Sequence, residues 1–126
     1  MIDALFNQSG YLAAKKALDA TALRQEAIAN NIANLETPGY KRLDLAPAFQ
    51  TELERACASG NSQQIAALKP TLAPDATAVP SGRDGNTVHL ESELMQLNQN
   101  GMTHALETQL VSNMLSRMRL AITGKA

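Results

Sequence analysis

Ala29-Asn30-Asn31-Ile32-Ala33-Asn34-Leu35-Glu36-Thr37-Pro38-Gly39-Tyr40-Lys41-Arg42 ends a helical pattern and opens a turn. The Asn amide competes for nearby backbone groups, so Asn30, Asn31 and Asn34 weaken an isolated helix. Pro38 lacks an N–H and pushes Thr37 out of the α region. Gly39 supplies the positive φ that a type II turn needs directly after a proline. A helix end followed by a turn accounts for the proline and the glycine but not for the repeated Asn. Polar side chains at helical spacing, on a helix that must still form, point to inter-helix hydrogen bonds that fix register, as a buried Asn does in a coiled coil.

Upstream, the pattern is helical from about Gln8 to Leu35. Tyr11, Ala14, Leu18, Thr21, Gln25, Ile28, Ile32 and Leu35 step by three and four, a seam at heptad spacing. Thr21 and Gln25 interrupt that seam with polar groups, which lowers stability but restricts partner and register. Before it, Ile2, Leu5 and Phe6 give Met1–Phe6 a short amphipathic lead.

Downstream of the turn, Asp44–Ala56 reads as a short helix with Pro47 in its first turn and Phe49, Leu53 and Ala56 on one face. From Ala58 to Gly85 the chain reads as an irregular, mobile linker punctuated by Pro70, Pro74 and Pro80. Gln63–Leu68 is a brief helical or extended piece at most, and Ala76–Val79 could pair as a short strand, but nothing in the sequence fixes it. Asp84-Gly85-Asn86 marks a turn, after which Asn86 or Thr87 is placed to cap the last helix. That helix is expected over Glu91–Ile122. Its seam runs Leu94, Leu97, Gly101, His104, Thr108, Val111, Leu115, Met118 and Ile122, with Leu106, Leu110 and Met114 beside it. Glu91 and Glu93 suit its first turn, and Gly124 its end.

The expected fold is therefore all-α. Two long terminal helices pair as a coiled-coil-like hairpin, with one short helix after the Thr-Pro-Gly-Tyr turn and a long irregular linker. The boundaries fall at 1–42, 43–85 and 86–126 within a single structural domain. Aromatic residues make up 3% of the 126 residues, so little is available to fill a thick core, and the Ala-rich helices suit thin seams. Apolar burial and chain entropy nearly cancel for such a hairpin, so the isolated chain is expected to be partly disordered and to order fully on assembly.

Catalysis finds no support in the residues. His89-x-Glu91-x-Glu93 and His104-x-x-Glu107 lack further metal ligands nearby, and Cys57 has no motif around it. Pro80-Ser81-Gly82-Arg83-Asp84-Gly85 lacks the Gly-Lys-Ser/Thr of a phosphate loop. No enzyme activity, cofactor or metal is expected. A net charge of −1 gives no reason to expect nucleic acid or anionic membrane as a partner. No apolar run is long enough to insert in a bilayer, and no cleavable secretory signal is evident.

The run Ala29–Asn34 followed by Thr37-Pro38-Gly39-Tyr40-Lys41 resembles the N-terminal signature of the bacterial flagellar axial proteins, the rod, hook and hook-associated subunits. Asp84-Gly85-Asn86-Thr87-Val88 before an acidic helix start is similar to the small cell-proximal rod subunits. His89 and His104 depart from that pattern, which more often has an acidic residue and a Tyr there. The resemblance implies a structural subunit of the basal-body rod that is exported uncleaved by the flagellar type III apparatus. It would polymerise through its terminal helices in the periplasmic space to form the drive shaft of motility. Implied partners are further copies of itself, other rod proteins, the basal-body adaptor at the inner-membrane ring, and the export gate. Phe49 and Leu53 match the Phe-x-x-x-aliphatic element through which such subunits engage that gate, and the Met1–Phe6 lead would add to the export signal. Two alternatives are another small proximal rod subunit and a cytosolic coiled-coil adaptor or export chaperone.

Overall fold

The computed structural model describes residues 4–5 and 7–124. Met1, Ile2, Asp3 and Phe6, most of the expected amphipathic lead, lie outside the described residues. The elements in chain order are α1 (Ser9–Ala33), β1 (Leu43–Leu45), α2 (Pro47–Ser59), α3 (Ser62–Ala67), β2 (Leu72–Pro74) and α4 (Leu90–Thr123). The all-α expectation is met, with one small two-stranded sheet added.

α1 and α4 pair antiparallel along their length. Tyr11 and Ala14 near the start of α1 pack on Val111 and Met118 near the end of α4, with Leu18 and Met114 alongside. On α1 the seam follows the expected heptad. Tyr11, Ala14, Thr21 and Ile28 are buried and Leu18, Ile32 and Leu35 half-buried. Gln25 is exposed, although its side chain still reaches α4.

On α4 the expected seam requires correction. Leu97 and His104 are half-buried and Val111 and Met118 buried, as expected. Leu94, Gly101, Thr108, Leu115 and Ile122 are instead exposed, and their neighbours Glu93, Asn100, Glu107 and Met114 turn inward. The helix is rotated so that polar groups occupy alternate seam positions. The reason is that α1 and the following turn supply hydrogen-bond partners for them, described below.

The second side of α1 carries a smaller core. Ala20 packs with Phe49, Leu53 and Ala56 of α2 and Ile65 of α3, with Leu12, Leu45 and Leu68 at its edge. Pro47 opens α2, where its missing N–H costs nothing. That helix therefore starts later than Asp44, which lies in β1. The segment read as an irregular linker holds α3, capped by the Asn61 side chain on the amides of Gln63 and Gln64, and β2. β2 pairs antiparallel with β1, Leu43 opposite Pro74, Asp44 opposite Ala73 and Leu45 opposite Leu72. The strand thus falls before Ala76–Val79, because β1 offers its edge to Leu72–Pro74.

Candidate functional site

The Thr37-Pro38-Gly39-Tyr40 turn forms as its residues demand. The Tyr40 amide donates to the Thr37 carbonyl at 3.2 Å, and Gly39 sits at φ +72. Downstream, the Arg42 guanidinium is buried at 6% exposure, which costs heavily unless the charge is paired and hydrogen-bonded. Its Nε donates to Glu93 Oε1 at 2.7 Å, and a second nitrogen donates to Asp75 Oδ2 at 2.5 Å and Asp44 Oδ2 at 3.3 Å. The third donates to Gln96 Oε1 at 3.0 Å. Burial by itself lowers the Arg42 pKa, but the bonds to Glu93 and Asp75 more than reverse this and leave it raised. One side chain thus ties β1, the end of β2 and the first turns of α4 into a single junction.

Asn31 completes it from α1. Its Nδ2 donates to the Leu43 carbonyl at 2.9 Å and Glu93 Oε2 at 3.2 Å, and its Oδ1 accepts from the Leu43 amide at 2.8 Å. Asn31 is the buried Asn that the repeat implied, while Ala29, Asn30 and Ala33 face solvent. Asn34 Nδ2 donates back to the Asn30 carbonyl, and Thr37 Oγ1 donates to Asn34 Oδ1. Burial raises the Tyr40 pKa, reinforced by the charge on Glu93.

Asn86 and Thr87 do not cap α4, whose N-cap residue is His89, without a side-chain cap bond. Asn86 is buried, and its Nδ2 donates to the carbonyls of Asn34, Leu35 and Thr37 at 2.9, 3.0 and 2.8 Å. The Asn34 and Thr37 carbonyls also accept from the Thr37 and Tyr40 amides, so Asn86 adds a second bond to each and binds the Leu35 carbonyl besides. Asn86 Oδ1 accepts from the Val88 amide, Thr87 Oγ1 accepts from the Arg42 amide, and the Gly39 amide donates to the Asp84 carbonyl. Lys41 Nζ reaches the Gly85 carbonyl at 3.0 Å. The motifs at 29–42 and 84–88 are therefore two halves of one corner.

A second polar layer crosses the seam further along. Asn100 Nδ2 donates to the Thr21 carbonyl and to Gln25 Oε1, both at 2.9 Å. Thr21 Oγ1 lies 2.7 Å from Glu107 Oε2 and 3.0 Å from His104 Nδ1. A hydroxyl has one proton. With that proton on the shorter bond to Glu107, the His104 contact requires an Nδ1–H donor. His104 and Glu107 are thus occupied with Thr21. Among the described residues, no group of three or more His, Cys, Asp or Glu is placed to hold a metal. Sequence reasoning missed Glu93, Asn100 and Glu107 as seam residues. Their heptad spacing from one another was the available signal, hidden by the leucines next to them.

The outer face of α4 has the opposite character. Nine of the ten exposed large apolar side chains among the described residues lie on this helix, with Met102 at 69% and Leu106 at 73% exposure. Met95, Met102, Leu106, Leu110 and Leu120 recur near heptad spacing along the exposed side of α4. Leu94, Leu115 and Ile122, expected in the seam, belong to this exposed set. A cleft of about 490 Å³ runs beside Met102 and Leu106, floored by Ala17, Ala20 and Phe49. Soluble proteins rarely leave such stripes uncovered. Phe49 and Leu53, by contrast, are buried in the smaller core.

A ligand pocket with converging polar groups is not what these features form; they are a locked corner and an uncovered helix face. That combination describes a subunit of an assembly. The family model described as "Flagella basal body rod protein" matches residues 12–41, which span most of α1 and the turn. The chain is 30% identical to the flagellar basal body rod protein FlgB of Borrelia hermsii, covering 86% of this chain and 92% of that protein. It is 31% identical to FlgB of Escherichia coli strain K12, covering 82% and 86%, respectively. For FlgB of Cereibacter sphaeroides the identity is 30%, covering 87% and 91%. The chain belongs to the FlgB family of flagellar basal body rod proteins. It is a structural component of the basal body that serves motility, and not an enzyme.

Proposed function

We propose that this chain is a cell-proximal rod subunit that assembles with further copies of itself and other rod proteins through the outer face of α4. The observation that carries this reading is the apolar stripe through Met102 and Leu106 on a helix whose other face is already paired with α1. The corner built on Asn31, Arg42, Asn86 and Glu93 would hold the two terminal helices at a fixed angle to the small subdomain, as torque transmission requires. The subunit is exported uncleaved through the flagellar type III apparatus and sits in the periplasmic part of the rod, against the adaptor at the inner-membrane ring. Phe49 and Leu53 would meet the export gate only while α2 is detached from Ala20 and Ile65, because both side chains are buried in the folded chain.

Leu106→Glu tests the assembly face. A site this exposed leaves chain stability within about 0.5 kcal/mol. Incorporation into basal bodies and swimming are expected to be lost, with the circular dichroism spectrum unchanged. Normal incorporation of the variant refutes the assignment of this face. For export, a tag inserted at exposed Gly82 should appear, uncleaved, in basal bodies only when type III export is active. A tagged chain that stays cytosolic while rods still form makes it a soluble adaptor instead.

A further inference from the structure

The corner and the α2–α3 arm are held in different ways. Buried charge and hydrogen bonds close the corner, and the ion pairs among the described residues all lie there. The arm, residues 47–68, meets α1 through apolar side chains: Phe49, Leu53, Ala56 and Ile65 on Ala20, with Leu12 beside them. Its own hydrogen bonds run inward. Gln50 donates to Glu54, the Ser59 hydroxyl to the Ala56 carbonyl and the Ile65 amide to the Asn61 carbonyl, while the Asn61 side chain accepts from the amides of Gln63 and Gln64. Toward α4, the cleft of about 490 Å³ separates Phe49 and Gln50 from Met102 and Leu106. The two ends of the arm meet at a neck. The Ala46 amide donates to the Thr71 carbonyl at 2.8 Å, β1 pairs with β2 directly beyond, and the Asp75 amide donates to the Arg42 carbonyl at 2.9 Å. The Arg42 guanidinium reaches Asp75 as well, which ties the neck into the corner.

We propose that α2 and α3 lift off α1 as one arm, hinged at the neck, while the corner and the α1/α4 pair stay closed. Lifting the arm breaks apolar contacts and leaves the charge network of the corner intact, whereas opening the corner breaks that network. Proteins open locally in contiguous units, the least strongly held first. Ala46 and Thr71 stay bonded in both states, so β1 and β2 do not separate. α2 has 13 residues and α3 has 6. Isolated helices that short are marginal in water, so the lifted arm loses the protection of its backbone hydrogen bonds. The open state uncovers Phe49, Leu53, Ala56 and Ile65 together with Leu12 and Ala20 of α1, an apolar surface covered in the closed chain. It is the detached state that contact of Phe49 and Leu53 with a partner requires. The opening is a property of the single chain and does not rest on the rod-subunit reading.

The test is amide hydrogen exchange of the full chain, read residue by residue by NMR at urea concentrations below the unfolding transition. The amides of Leu53, Ala56 and Ile65 are expected to be less protected than those of Leu43 and Asp75 by about a hundredfold or more. Their exchange should also depend more weakly on urea, because lifting the arm exposes only part of the surface that unfolding does. Gly39→Ala separates the two units. The turn that it weakens is closed whether the arm is down or lifted. Exchange at Leu43 and Asp75 should therefore rise about five- to thirtyfold, while Leu53, Ala56 and Ile65 keep their rates. Arm amides with the same protection and urea dependence as the corner amides make the chain one cooperative unit and overturn the hinged arm. So do arm amides that speed up along with the corner in Gly39→Ala, and so do corner amides without protection. None of these results touches the assembly face on α4, which the incorporation of Leu106→Glu tests separately.

Discussion

Arg42 and Glu93 form a buried pair whose two members are unequally supported, and that inequality predicts different costs for removing each. Glu93 is fully buried and accepts from two donors, Arg42 Nε at 2.7 Å and Asn31 Nδ2 at 3.2 Å. Arg42 also has Asp75, Asp44 and Gln96. Breaking a buried pair by deleting one partner costs about 3–5 kcal/mol, mostly from the charge left behind. Arg42→Ala strands Glu93 with a single amide donor, so the expected loss is about 5 kcal/mol. Glu93→Ala leaves Arg42 with two carboxylates, so its loss falls near the lower end, about 3 kcal/mol. In the double variant neither charge is stranded, and the loss falls well below the sum. Urea unfolding followed by helix circular dichroism reads these differences as shifts in midpoint at constant slope. Domains of this size have roughly 5–15 kcal/mol of stability in all, so Arg42→Ala removes a large share. Equal costs, or a larger cost for Glu93→Ala, would refute the claim that the network is centred on Arg42. So would a double variant whose loss equals the sum.

Asn86→Ala removes the side-chain donor to the Leu35 carbonyl and the acceptor for the Val88 amide, while the Asn34 and Thr37 carbonyls keep their backbone donors, and is expected to cost about 2–6 kcal/mol at about 1–3 for each of the two stranded groups. Urea midpoints measure the cost, and faster amide exchange at Val88 should accompany it. Gly39→Ala meets no atom within 4 Å of the added Cβ, so its cost is purely that of the positive φ, about 1–2 kcal/mol. A neutral outcome in the same assay would mean that the turn is not held at that φ. The Thr77 hydroxyl, first, holds Asp75 below the usual carboxylate range; burial opposes it and Arg42 adds to it. A carboxylate depressed in the folded chain contributes stability that is full above its unfolded pKa, about 3.9, and lost as pH falls through the folded value. Acid unfolding should therefore steepen below about pH 4, and Asp75→Asn should flatten that part of the curve.

Much of the fold was legible in the residues because it rests on local chemistry. Pro38 and Gly39 leave the chain few alternatives to a turn, Pro47 has a place at the start of a helix but not within one, and the three-and-four spacing from Tyr11 to Leu35 defines one face of α1. The Asn repeat announced a buried polar contact. What it touches was not legible, since the carbonyl of Leu43 and the carboxylate of Glu93 come from residues 12 and 62 positions away. β2 was hidden for the same reason. Leu72–Pro74 is extended because β1 offers it an edge, and residues 72–74 carry no signal of that edge.

The orientation of α4 separates the two kinds of information most sharply. Periodicity established that this stretch is a long amphipathic helix with Leu97, Val111 and Met118 facing α1. At the alternate positions, hydrophobicity favours Leu94 and Leu115 over Glu93 and Met114, and on an isolated helix nothing contradicts that choice. Tertiary structure reverses it. Arg42 and Asn31 wait opposite Glu93, the Thr21 carbonyl and Gln25 opposite Asn100, and the Thr21 hydroxyl opposite Glu107. A polar group buried with its partners in place bears little penalty, so the helix turns those residues inward. Leu94, Leu115 and Ile122, displaced from the seam, then join Met95, Met102, Leu106 and Leu110 in the exposed stripe. Whether an apolar residue serves the chain's own core or a neighbour is decided by what faces it across the seam, and only the assembled tertiary structure contains that information.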